Sequence, residues 1–123
     1  MKPYKKIYAE AFGYDVDDHT TSIPSEISGE KSVDIHHIVT REDRIENLMA
    51  VTRQEHNDYG EIKKYMYFLL RIHKRQLQLH NIDFDNDWFL KWMDHYRPFA
   101  AELEEESNYE RCHRNTFNER IIF

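Results

Sequence analysis

Cysteine is nearly absent from this 123-residue chain. The lone Cys112 excludes an intramolecular disulfide and any multi-cysteine zinc knuckle, so no structural zinc is expected. Long apolar runs are missing too: none approaches the roughly 20 residues needed to span a bilayer. The N-terminal Met-Lys-Pro-Tyr-Lys-Lys has no apolar segment of the kind a secretion signal carries. The expectation is a cytoplasmic protein without a membrane partner. Basic excess is also lacking, with 17 Lys and Arg against 23 Asp and Glu and a net charge of −6, which argues mildly against a nucleic-acid binder. Glycine and proline number only three each, so each one reads as punctuation.

What is present suffices for one domain with one core, since 40 % of the residues are hydrophobic and 14 % aromatic. Charge is unevenly spread. Residues 61–80 hold five basic side chains and one acidic, a block of +4, whereas residues 81–123 hold five and ten, a block of −5.

Pro3 to Phe12 predicts a helix, with Tyr4, Ile7, Tyr8, Ala11 and Phe12 at helical spacing and Gly13 as a stop. Asp15 to Thr21 predicts a loop, and Ser25 to Gly29 a turn. Ser32 to Val39 predicts a strand, and after the charged turn Thr40 to Arg44, Leu48 to Val51 predicts a second, paired as an antiparallel hairpin. Thr52 and Glu55 stand as a capping box that starts a helix at Arg53. Gly60 breaks that helix before a longer one, Glu61 to about His80, with Ile62, Tyr65, Met66, Leu69, His73 and Leu77 on one stripe. Lys63, Lys64, Arg71, Lys74 and Arg75 form its charged face. Asp85 caps a further helix through about Tyr96, with Trp88, Phe89, Trp92 and Met93 inward and Pro98 as its end. Glu102 to Glu106 predicts one more helix, and Ile121-Ile-Phe a strand-like end. The fold class is α+β and mostly helical.

Three histidines stand out within residues 33–60. Successive strand residues point to opposite faces, so His36 and His37 cannot share one job if the strand persists through them. If His36 faces the helix, it can share a divalent ion with His56, each giving one neutral imidazole nitrogen. His37 is then free to take a proton from water. Two protein ligands leave positions for water and phosphate oxygens, as phosphodiester cleavage requires.

The pair His36-His37-Ile38, the Asn47-Leu48 step and the helix-borne His56 resemble the HNH endonuclease family, with its ββα-metal fold, in order and nearly in spacing. Asp34-Ile-His-His-Ile after Ser25-Glu-Ile-Ser-Gly is similar in particular to a phage and bacterial branch. The resemblance covers about 28 residues strongly and implies a core at 33–60, flanked by an N-terminal helix and loop at 1–32 and a helical extension at 61–123. It implies that His37 is the general base, that His36 and His56 hold the metal, and that Asn47 keeps the loop and the His37 ring in register. The substrate implied is DNA. The ion is expected to be Mg²⁺, with Mn²⁺, Ni²⁺ or Zn²⁺ as alternatives. Many relatives have Cys-x-x-Cys where this chain has Ser25-x-x-Ser28, and some carry a further histidine where it has Gly60.

Arg41, Arg44 and Arg53 flank the motif and are candidate phosphate contacts, with Lys63 and Lys64 beyond them; Arg44 reads equally well as a structural salt bridge. His73 and His80 read as core-edge or solvent-facing residues rather than ligands, and His19, His95 and His113 belong to no pattern. The competing function is a catalytically inactive nucleic-acid-binding or assembly module on the same scaffold, with the acidic C-terminal region meeting a protein partner. A metallopeptidase is disfavoured, because no His-Glu-x-x-His helix occurs.

Overall fold

A proline at the first turn and a glycine past the last frame the first helix, α1 (Pro3–Phe12), in the computed structural model, which describes residues 2–15, 22–32 and 34–109. Gly13 adopts φ 79°, a left-handed conformation that returns its N–H to the carbonyls of Ala9 and Glu10. The expected loop at 15–21 and the strand-like Ile121 to Phe123 fall largely or wholly outside the described residues.

The predicted turn after Ser25 is present. Ser25 Oγ accepts from the backbone N–H groups of Ile27 and Ser28 at 3.1 and 3.2 Å, and Gly29 closes the turn at φ 79°. A hairpin follows, β1 (Asp34–His37) with β2 (Leu48–Val51), in the register Asp34 to Val51, Ile35 to Ala50, His36 to Met49 and His37 to Leu48. The first strand is shorter than the expected 32–39. Its pairing ends where Asn47, closing a 3-10 turn at Ile45–Asn47, ties down the connecting loop.

Both faces of this small sheet are covered, so all four β2 residues are buried. Ile35, Leu48 and Ala50 face α1 and pack with Tyr8. Met49 and Val51 face the opposite way and join the larger core. Each large side chain so buried contributes roughly 1.5–3 kcal/mol. The same alternation sends His37 toward α1 and His36 away from it.

Helix α2 (Arg53–Tyr59) begins at the predicted capping box, with Thr52 Oγ1 accepting from Glu55 N and Glu55 reaching back to Thr52 N. The box is extended by Ser25, whose hydroxyl donates to Glu55 Oε1 at 2.5 Å and so bonds the preceding turn to the start of α2. Gly60 ends α2, and α3 (Lys63–Leu79) starts two residues later than the expected Glu61, because Ile62 is extended at φ −93° and ψ 116°. Ile62 is 41 % exposed and does not join the inner stripe. Phe68, Leu69, Leu70, Ile72, His73 and Leu77 do.

Pro98 does not end a helix. It lies inside α4 (Asn86–Tyr109), which runs on through the segment where a separate helix was expected. Proline removes one N–H, but Pro98 and Asp94 are both exposed residues, where such a loss costs least. The start of α4 is as predicted, with Asp85 Oδ1 accepting from Trp88 N at 3.2 Å. Trp88, Phe89 and Ala100 are buried against α3, while Trp92 and Met93 are partly covered. No helix among the described residues is long and apolar enough to cross a membrane.

Candidate functional site

Between α1, the hairpin loop and the α2–α3 junction lies an open cleft of about 840 Å³. His36, His37 and His56 all line it, with Tyr4, Arg41, Asp43, Gly60 and Met66 among their neighbours. Three histidines separated by up to 20 positions in sequence thus reach one space, two from β1 and one from α2.

His36 is only 5 % exposed. Its Nε2 lies 2.9 Å from the Gly60 carbonyl, which can only accept, so Nε2 carries the hydrogen. Burial, followed by the neighbouring His56, pushes its pKa down to about 4. At neutral pH the ring is therefore uncharged, with its lone pair on Nδ1. The His56 ring stands 4.6 Å away, centroid to centroid, at 53°.

His56 is oriented from behind. Its Nδ1 lies 3.0 Å from Asp34 Oδ2, so the neutral ring presents its lone pair on Nε2. Arg53 grips the same carboxylate through Nε at 2.9 Å and Nη2 at 3.0 Å. Partial burial of Asp34 works against ionisation, but the hydrogen bond from His56 and the charge of Arg53 outweigh it and hold the pKa below the usual carboxylate value. Asp34 stood in the sequence as part of a motif, and its pairing 22 positions along the chain had no local signal.

His37, on the other face of β1, bonds through Nε2 to Asp43 Oδ1 at 2.8 Å and meets the edge of Tyr4 with ring centres 4.9 Å apart. Asn47 is fully buried and holds the loop, accepting from Val39 N and Thr40 N and donating to the carbonyls of Thr40 and Glu42. Those contacts use its whole amide, and the His37 ring is held by Asp43 instead of by Asn47. Asp43 is the second residue that sequence reasoning missed.

The candidate phosphate contacts separate. Arg41 lines the cleft, and so does Lys2, which the sequence did not single out. Arg44 is a structural clasp, paired with Glu42, Glu46 and Asp85 and lying over the Trp88 ring. Arg53 is engaged with Asp34. Lys63 and Lys64 lie outside the cleft lining, over the rings of Phe99 and Tyr65.

His73 is not a core-edge residue: it is fully buried and ion-paired with Glu26, whereas His80 is exposed as expected. Gly60 is required by crowding. A Cβ there would come within 2.5 Å of the His56 carbonyl, 2.7 Å of His56 Cδ2 and 3.3 Å of His36 Cε1. Among the described residues no group of three or more His, Cys, Asp or Glu is arranged to hold a metal ion. Comparison with family models, with curated proteins and with solved structures returns no match.

Proposed function

We propose that the protein is a metal-dependent endonuclease of the HNH type that hydrolyses DNA phosphodiester bonds, with the hairpin and α2 as its ββα-metal core. One observation carries this reading. His36 and His37 leave opposite faces of one strand, the first toward His56 and the second toward a carboxylate, yet both border the same cleft.

The donor set suits one divalent ion. His36 offers Nδ1 and His56 offers Nε2, each with its other nitrogen occupied by a hydrogen-bond acceptor. The two rings stand 4.6 Å apart, centroid to centroid, close enough for both to serve one ion. When bound, such an ion supplies Lewis-acid polarisation of the phosphate and stabilises charge on the departing 3′-oxygen. The resemblance favours Mg²⁺, while two neutral imidazoles would also suit the expected alternatives Ni²⁺ or Zn²⁺.

His37 acts as general base. With Nε2–H held by Asp43, its Nδ1 takes a proton from water, the water oxygen bonds to phosphorus, and the P–O3′ bond breaks with its electron pair leaving on the 3′-oxygen. General-base catalysis of this kind is worth about 10²–10⁴ in rate. Arg41 and Lys2 supply positive charge at the cleft for the phosphate backbone.

Supercoiled plasmid incubated with Mg²⁺ or Mn²⁺ is expected to be nicked or cut. EDTA stops the reaction, and His37→Ala abolishes it while the circular dichroism spectrum stays that of the folded protein. Plasmid left intact across several divalent metals refutes the enzyme. Salt-sensitive DNA binding without cleavage, unchanged by His37→Ala, identifies a binding module instead.

A further inference from the structure

We propose that Asp43 is the positioning residue of the site, fixing the tautomer and rotation of the His37 ring. Its catalytic meaning rests on the nuclease reading above, whereas the geometry stands by itself. Asp43 Oδ1 lies 2.8 Å from His37 Nε2. A carboxylate has no hydrogen to give, so the ring supplies it, and the lone pair of the neutral imidazole is left on Nδ1. Tyr4 of α1 packs its ring edge-on to the same imidazole at 70°. The bond and the packing together define how the ring stands before any substrate arrives.

The loop is built to deliver that carboxylate. Every hydrogen-bonding site on the Asn47 amide is spent on backbone groups of residues 39, 40 and 42, and Glu42 N adds a bond to Thr40 Oγ1 at 3.1 Å. Asp43 is the next residue. The side chains of His37 and Asp43 are 28 % and 44 % exposed, so the pair adds little to stability. Its loss therefore registers in the ring and leaves the fold intact.

The test uses the full chain without metal, labelled with ¹⁵N in its histidine rings, the His37 signals being identified by their loss in His37→Gln. In wild type, neutral His37 shows a single tautomer protonated on Nε2. Asp43→Ala gives a mixture of tautomers, and Asp43→Glu restores the single form in part. In the plasmid assay Asp43→Ala lowers kcat about tenfold or more and changes KM less than about twofold. A mixed tautomer in wild type, or a single one in Asp43→Ala, overturns the proposal. Unchanged kcat in an Asp43→Ala protein that cleaves DNA also overturns it. If wild type cleaves nothing, the nuclease reading falls, and the spectra still decide whether Asp43 fixes the ring.

Discussion

Glu26→Gln should cost this protein a measurable part of its stability, although residue 26 lies outside the cleft lining. Glu26 and His73 are 5 % and 0 % exposed, and their side chains meet at 2.7 Å. His73 faces an acceptor at each ring nitrogen, Glu26 Oε1 at Nδ1 and the Ile45 carbonyl at Nε2, so the ring is a doubly protonated cation. The other Glu26 oxygen accepts from the Tyr8 hydroxyl at 2.8 Å and from Ala50 N at 3.2 Å. One carboxylate thus bonds α1, β2 and α3. Burial pushes the His73 pKa down, but the charge and hydrogen bond of Glu26 and the Ile45 carbonyl overcome it, and the net shift is upward. Glutamine removes the counter-charge, so His73 gives up its Nδ1 proton and accepts there from the new NH₂, and a charge-assisted bond becomes a neutral one. Losing a buried charge-assisted bond costs about 1.5–3 kcal/mol, against a typical total stability of roughly 5–15 kcal/mol.

Urea denaturation at neutral pH reads this as a lower midpoint with an unchanged slope. The pH dependence gives a second reading. His73 holds its proton more tightly when folded, so its stabilisation is complete below the unfolded value of about 6.5 and is lost as pH rises through the raised folded value. Wild type should therefore weaken on the alkaline side, and Glu26→Gln should weaken much less. A Glu26→Gln protein within about 1 kcal/mol of wild type, with the same alkaline slope, would refute the buried ion pair.

Gly60→Ala sets two effects against each other. At φ −57° and ψ −44° alanine is conformationally preferred by about 0.5–1 kcal/mol, but its Cβ would meet the His56 carbonyl at 2.5 Å. Overpacking of this kind costs about 1–3 kcal/mol, so thermal denaturation should show a net loss; a stabilised variant would show that the crowding is not real. His36 supplies an acid-side dependence in metal-free protein. Its folded pKa of about 4 lies below the unfolded value of about 6.5. The stability present above pH 6.5 is therefore lost as pH falls toward 4, by up to roughly 3 kcal/mol. Replacing His36 with Gln should flatten that slope in denaturant titrations across the same range.

Local signals in the chain were enough for much of the framework. The capping box at Thr52 and Glu55, the Gly13 stop and the second hairpin strand each depend on residues a few positions apart, and each stands where the pattern put it. Pro98 misled because its rule concerns one lost backbone bond. That bond falls on a wet face, and packing of the opposite face on α3 carries the helix through. Likewise the division of His36 from His37 followed from strand alternation alone, a period fixed by the backbone.

The partners of those histidines did not follow. Asp34 behind His56, Asp43 on His37 and the Gly60 carbonyl on His36 are 22, 6 and 24 positions away. The Glu26 and His73 pair spans 47. No periodicity encodes such contacts, because they depend on how α1, the hairpin and α3 stack and on which polar groups that stacking leaves without water. By itself the sequence determined where the chemistry-bearing residues lie along the chain and that His36 and His37 take opposite strand faces. Only the tertiary structure decided which nitrogen each imidazole leaves free, since a tautomer is set by the acceptor that folding brings to the other nitrogen.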